Sequence, residues 1–293
     1  MEVSIIIPTY NRYDDLSIAL GSIFHQTKCP KEVLIIDDSQ NESISDLISR
    51  VSSQFVTSGI DLKYFRNPHQ KGSGIARNYG MSLANEEIIL FLDDYVILDK
   101  EYIAEIIKVY EQSPGVIGVQ GYITNLKRIS KFRFFYNKVF YLYNQEKNSC
   151  RVLISTNIVY PSAVDDVIEC EWLSGCNQSY RKNKMANFKK KKNFRRYSLK
   201  EDVDLSYRIF KKNPGSLIMT PNAKLIHKAT DVARMPEKTV RCMEYVHSFY
   251  LFSKNMDPNL IRSIQFYWAW GGELLVVSPF IILINFLRGS KEG

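Results

Sequence analysis

Two carboxylates stand side by side at Asp93-Asp94, directly after the apolar run Ile88–Leu92. Adjacent carboxylates repel each other unless a cation shares them. A hard divalent ion takes oxygen ligands, and magnesium commonly combines one or two carboxylates with substrate phosphates. The pair therefore suits a metal and a diphosphate-bearing ligand; the plainer reading is an acidic loop cap. A second pair, Asp37-Asp38, follows Val33–Ile36. It could accept a hydrogen bond from a nucleobase imide or a ribose hydroxyl, or it could cap a helix, a role open also to Ser39 and Asn41. Gly72-Ser73-Gly74 leads into Arg77, like a glycine-rich anion turn at a helix start, although the pattern alone is weak. Arg77 could reach a phosphate or pair with one of the acids. Glu201-Asp202-Val203-Asp204 opens another amphipathic run. Acids at a helix start are favoured by the helix dipole, and Asp202 becomes a general base only if it reaches an acceptor hydroxyl.

These residues need a frame that brings them to one place. Short β-branched or aromatic runs at Val3–Ile7, Val33–Ile36, Leu62–Phe65 and Ile88–Leu92 have strand length. Helix-like stretches lie between them at Asp14–His25, Ser43–Ser53 and Gly74–Leu83. Such alternation implies a largely parallel sheet with helices on both faces, an α/β fold. Ligands of such sheets bind at the carboxyl ends of the strands. Thr9-Tyr10-Asn11, Asp37-Asp38-Ser39 and Asp93-Asp94-Tyr95 all fall at those ends. Further on, Leu217–Met219 and Lys224–His227 are expected as two short strands.

The 293 residues, 45% hydrophobic, suffice for one large domain with an appendage. The net charge of +8 points to an anionic partner. Five cysteines without a Cys-x-x-Cys spacing suggest free thiols, not a disulfide framework or zinc site. The N-terminus lacks the basic and long apolar regions of a signal peptide and reads as a buried strand.

Seven segments carry a resemblance. Ile6–Arg12, Ile35–Ser39, Gly74–Gly80, Leu90–Asp94, Gly175–Arg181, Glu201–Arg208 and Pro221–His227, in that order, resemble glycosyltransferase family 2 over about residues 1–230. The resemblance implies the GT-A fold, a Rossmann-like mixed, mostly parallel sheet flanked by helices, and an inverting transfer from a nucleotide-diphosphate sugar. It implies that Pro8, Tyr10 and Asp38 hold the nucleoside with Asp37 beside them, and that Arg77 faces the diphosphate. Asp93 and Asp94 would hold Mn2+ or Mg2+, with His227 completing the metal shell. Asp202 would be the general base, and Trp172, Asn177 and Glu201 would border the acceptor. The family usually reads Asp-x-Asp where this chain ends on Tyr95, and a neutral phenol is a poor ligand for a hard ion.

Three segments speak of location. Lys127–Lys147 interleaves aromatic residues with Lys and Arg, as an amphipathic helix at a membrane interface or as a packing helix with solvated charges. Residues 231–293 form a helical C-terminal region with an apolar stretch at about 264–287, interrupted by Glu273 and Pro279. A bilayer span needs roughly 20 apolar residues, so the stretch is borderline between a span, an interfacial helix and a core hairpin. The basic run Lys189–Arg196 suits an anionic acceptor or lipid headgroups, or is a solvated loop, and nucleic acid is not expected. The combined expectation is a membrane-associated transferase facing the cytoplasm, using a UDP- or GDP-linked donor and a lipid-linked or cell-surface glycan acceptor. A catalytically impaired sugar-nucleotide or glycan binder, which Tyr95 favours, and a nucleotidyltransferase, which Glu201–Leu205 disfavours, are the alternatives.

Overall fold

The structure, a computed structural model, describes residues 1–39, 43–69, 71–185, 188, 199–228 and 236–289. The first half alternates strand and helix: β1 (Val3–Thr9), α1 (Tyr13–Phe24), β2 (Glu32–Asp37), α2 (Ser43–Thr57), β3 (Asp61–Arg66), α3 (Ser73–Leu83), β4 (Ile88–Phe91), β5 (Val96–Leu98), α4 (Tyr102–Gln112) and β6 (Gly118–Ile123). Then come α5 (Lys131–Val139), β7 (Asn144–Glu146), β8 (Arg151–Val152), β9 (Ile158–Pro161), β10 (Ile168–Glu169) and β11 (Gln178–Arg181). The chain continues through α6 (Glu201–Lys212), β12 (Leu217–His227), α7 (Glu237–Asn255) and α8 (Leu260–Gly289).

Among the described residues one sheet has nine strands, in the order β10-β12-β6-β11-β4-β1-β2-β3 with β5 beside β12. The contiguous strands β4, β1, β2 and β3 are parallel. β11 enters antiparallel between β4 and β6, and β12 runs parallel to β6. This is the mixed, mainly parallel α/β sheet the alternation predicts. β2 is buried along its whole length and β1 nearly so, as strands covered on both faces must be. β3 carries Asp61, Lys63 and Arg66 along its more exposed edge, charges that discourage edge-to-edge pairing.

Register brings the strand ends level. Thr9 of β1 lies opposite Asp37 of β2, and Ile6 opposite Phe91 of β4. α3 packs closely on β1 because Gly80 has no side chain; a Cβ there would stand 2.4 Å from Ile6 Cγ2. That close approach carries Arg77 to the same rim.

Two expectations change. The two short late strands are one, β12, whose register to β6 shifts between Thr220 and Lys224; Pro221 lacks an N–H for the ladder and sits in that irregularity. The segment Lys127–Lys147 is helical only over α5. Asn137 Nδ2 donates to the Tyr143 carbonyl at 2.5 Å, turning the chain into β7 and a small second sheet of order β7-β9-β8. The apolar stretch at 264–287 lies within α8, and among the described residues no helix is long and apolar enough to cross a membrane. The basic run Lys189–Arg196 lies outside the described residues, as does Asn41. The five cysteines are free thiols.

Candidate functional site

A cavity of about 660 Å³ opens at the carboxyl ends of β1, β2 and β4. Pro8, Tyr10, Asp38, Arg77, Asp93, Asp94, Glu201, Asp202 and His227 all line it. The strand ends, the start of α3 and the start of α6 thus bring together residues from across more than two hundred positions of sequence.

On one side, Asp38 accepts from the Gly72 amide at 2.9 Å and from Asn67 Nδ2 at 2.6 Å. Burial pushes its carboxyl above the usual range, while the Gly72 and Asn67 bonds oppose this. Gly72, with φ 147°, takes a conformation that favours glycine and leads into α3. Lys71 Nζ lies 5.1 Å from the centre of the Tyr10 ring, within cation–π reach. Asp37 is different. It is fully buried, accepts from the Ser39 amide, Tyr64 Oη and Arg66 Nη1 at 2.7, 2.7 and 3.2 Å, and does not line the cavity. It ties the end of β2 to β3.

At the floor, Arg77 links three elements. Its guanidinium pairs with Asp93 after β4 and with Glu201 at the start of α6, and donates to the Gly175 carbonyl at 3.2 Å. Burial opposes its charge, but Asp93, Glu201 and Asp202 together raise its pKa above the ordinary arginine value. Asp94 accepts from Thr9 Oγ1 at 2.7 Å and from Arg12 Nη1 at 3.1 Å. It is 1% exposed, and burial pushes its pKa up to about 6 against the pull of Arg12 and Thr9. The Arg12 guanidinium carbon also lies 4.8 Å from the Tyr95 ring centre. The edge-on ring of His227 stands 4.9 Å from the same ring, because β5 and β12 pair with Val96 opposite His227.

Across the cavity, Asp202 Oδ2 accepts from the Gly175 amide at 2.7 Å. Asp202 stands in the first turn of α6, which follows Lys200 in a left-handed conformation with φ 61°. Lys200 lines the cavity as well, and its Nζ donates to the Thr156 carbonyl at 3.2 Å. Burial lowers its pKa, opposed by Glu244, Glu273 and Asp202.

Trp172 and Asn177, expected beside an acceptor, are 3% and 0% exposed and do not line the cavity. Trp172 Nε1 donates to the Val159 carbonyl at 3.2 Å and Asn177 Nδ2 to the Gly121 carbonyl at 2.9 Å. Both brace the loop that presents Gly175, and Gly175 itself lines the cavity. Reasoning from sequence gave no role to Arg12, Lys71, Lys200 or the Gly175 amide. The available signal was proximity in sequence to motif residues, Arg12 closing Ile6–Arg12 and Lys200 preceding Glu201.

The expected metal shell fits poorly. Asp93 and Asp94 are each held by an arginine, and His227 packs on Tyr95, which stands where a second acid is usual. Among the described residues no group of three His, Cys, Asp or Glu side chains is arranged to hold a metal ion.

The family model described as Glycosyl transferase family 2 matches residues 4–168. An uncharacterized glycosyltransferase of Haemophilus influenzae is 32% identical over 114 residues, covering 39% of this chain and 36% of that protein. The poly(ribitol-phosphate) beta-glucosyltransferase of Bacillus spizizenii is 33% identical over 101 residues, covering 33% of this chain and 15% of that protein. The chain thus spans less than half the length of the curated relatives it matches here. Among solved structures, a mannosyltransferase from Pyrobaculum calidifontis in complex with GDP-Man and Mn2+ superposes with a TM-score of 0.58 at 15% identity, covering 100% of this chain and 81% of that one. Staphylococcus aureus TarS 1-349 gives 0.54 at 16% identity, covering 93% and 80%. At such identities the likeness establishes the fold, which is GT-A. With the family match over more than half its residues, the chain belongs to glycosyltransferase family 2.

Proposed function

We propose that the chain is an inverting glycosyltransferase that moves a sugar from a UDP- or GDP-linked donor to a lipid-linked or cell-surface glycan at the cytoplasmic face of a membrane. In this reading residues 1–230 form the transferase unit, and residues 231–293 a helical region that meets the membrane. One observation carries it: Asp38, Asp93 and Asp202, from three separate parts of the chain, line the same cavity. The structural neighbours with GDP-Man and with UDP-GlcNAc support a nucleotide-sugar donor.

Each residue then has a task. Asp38 takes the nucleoside, with Pro8 and Tyr10 beside it. Asp202, fixed by the Gly175 amide, takes the proton from the acceptor hydroxyl as the acceptor oxygen attacks the anomeric carbon and the diphosphate leaves from the opposite face. Lys71, Arg12 and Arg77 line the same cavity; Arg12 and Arg77 offset the Asp94 and Asp93 carboxylates there, and Lys71 adds a cation where negative charge grows on the leaving group, a preorganised stabilisation of the kind that dominates many enzymes. Glu201 acts at one remove, by holding Arg77. If the acceptor is a phosphate, it arrives ionised and Asp202 orients it.

A thermal-shift panel of UDP- and GDP-linked sugars tests the donor. A ligand at about 100 times its Kd stabilises the folded state by about 2.7 kcal/mol, so one compound raises the melting temperature clearly. If none does, the donor assignment fails.

A further inference from the structure

We propose that the chain docks on an anionic lipid bilayer through one composite face, made by α5 together with the N-terminal half of α8. This rests on the membrane reading above and names the surface that carries it.

α8 is two-sided over its first sixteen residues. Leu260, Ile264, Tyr267, Trp268, Leu274 and Leu275 are each more than half exposed and recur at helical spacing along one side. The other side is packed: Phe266 is fully buried, with its ring stacked on Phe252 of α7 at 4.2 Å, and Ala269 is 1% exposed. On α5, Phe132 and Phe135 are 79% and 69% exposed, three residues apart on one side of the helix.

The two sides are fastened to each other. Trp268 Nε1 donates to the Val139 carbonyl at 3.0 Å, and Tyr136 Oη donates to the Gly272 carbonyl at 2.6 Å. The Phe140 ring stacks on Trp268 at 4.8 Å, and a Cβ at Gly272 would come within 2.2 Å of Phe140. These contacts hold α5 and α8 side by side, each with large apolar side chains left exposed, and clustered exposed apolar side chains of this kind mark interaction surfaces.

Charge decides what covers it. Between Thr124 and Gln145 the chain has Lys127, Arg128, Lys131, Arg133 and Lys138, and no Asp or Glu. A second copy of the chain laid on this face would set these cations against each other, which disfavours self-association. An anionic bilayer accepts both components, with basic groups at the headgroups and Trp, Tyr, Phe and Leu below them. The face is also close to the chemistry. Glu273 of α8 and Glu244 of α7 lie within electrostatic reach of Lys200, on the cavity wall two residues from Asp202. α8 thus borders the cavity with its packed side and carries the apolar face on its opposite side.

The test is co-sedimentation of the full chain with phosphatidylcholine vesicles, with and without phosphatidylglycerol. The Phe132→Asp/Phe135→Asp and Lys131→Glu/Arg133→Glu variants are run alongside, with thermal melts to verify folding. The expected result is binding to the anionic vesicles that falls about tenfold or more in either double variant, at an unchanged melting temperature. Variants that melt normally and bind like the parent overturn this face while leaving membrane action intact. A parent chain that binds neither vesicle overturns both the face and the membrane reading, and donor binding in the same preparation shows whether the transferase assignment survives. Concentration-dependent dimerisation that the variants abolish assigns the face to a second copy and also overturns the proposal.

Discussion

Arg12 Nη1 stands 3.1 Å from the carboxylate of Asp94, and the two side chains are 12% and 2% exposed. The partners are 82 positions apart in sequence, so the pair fastens the loop after β1 to the end of β4 beneath the cavity. Removing one member of a buried pair leaves the other charged and unsolvated. Arg12→Ala is expected to cost about 3 kcal/mol at pH 8, measured by urea unfolding. The loss should shrink at pH 5, where Asp94 takes up a proton. An equal loss at both values would show that the pair's charge is not what matters.

The same carboxyl shapes the pH dependence of the parent. Burial raises the folded pKa of Asp94 from 3.8 to about 6, so the folded state holds the proton more tightly than the unfolded chain does. Stability from this group is present below about pH 4 and is lost as pH rises through about 6. The swing is on the order of 3 kcal/mol. Asp94→Asn should flatten the stability profile between those values relative to the parent. Parallel profiles for the two proteins would contradict the assignment.

Chelation should have a modest effect on donor binding. Asp93 and Asp94 are already balanced by Arg77 and Arg12, and Tyr95 replaces a potential oxygen ligand. Calorimetric titration of the stabilising nucleotide sugar is expected to give affinities within about tenfold, or 1.4 kcal/mol, in EDTA and in Mn2+. A loss of several orders of magnitude in EDTA would show that these arginines do not supply the needed charge.

Much of this arrangement is legible in the sequence, and the reasons lie in particular residues. β1, β2 and β4 could be read because each is a short apolar run that stops at polar side chains, and parallel connection then sets those ends on one rim. Which of Asp37 and Asp38 meets the cavity was not legible. Successive side chains along a strand point to opposite faces, and only the observed pairing shows that Asp37 turns toward Tyr64 and Arg66. Trp172 and Asn177 look like contact residues by type, yet their partners are backbone carbonyls brought close only by folding. Arg12 was hidden for the same reason, since nothing local announces a partner on another strand. The continuity of β12 through Pro221 resisted reading because a proline usually ends a strand, whereas here it is absorbed as a register shift.

Gly175 is a sensitive point. A Cβ there would lie 3.1 Å from Asp202 Oδ2 and 3.3 Å from Asp202 Cβ, so Gly175→Ala pushes the carboxylate away from the amide that orients it. A misplacement of about 1 Å can cost about a hundredfold in rate, and the shift needed here is only a few tenths of an ångström. We expect kcat to fall by about threefold to tenfold while donor KM changes little, as measured with the donor identified by thermal shift. A variant that transfers at the parent rate would show that the Gly175 contact does not set the position of Asp202.

The most direct measurement compares sugar transfer and donor binding in Asp202→Asn. The amide keeps the size of the side chain and its acceptor toward the Gly175 amide, but it cannot take a proton from an acceptor hydroxyl. Transfer is predicted to fall about a thousandfold, with donor affinity within about twofold of the parent by calorimetry. Transfer retained within about tenfold would contradict Asp202 as the base.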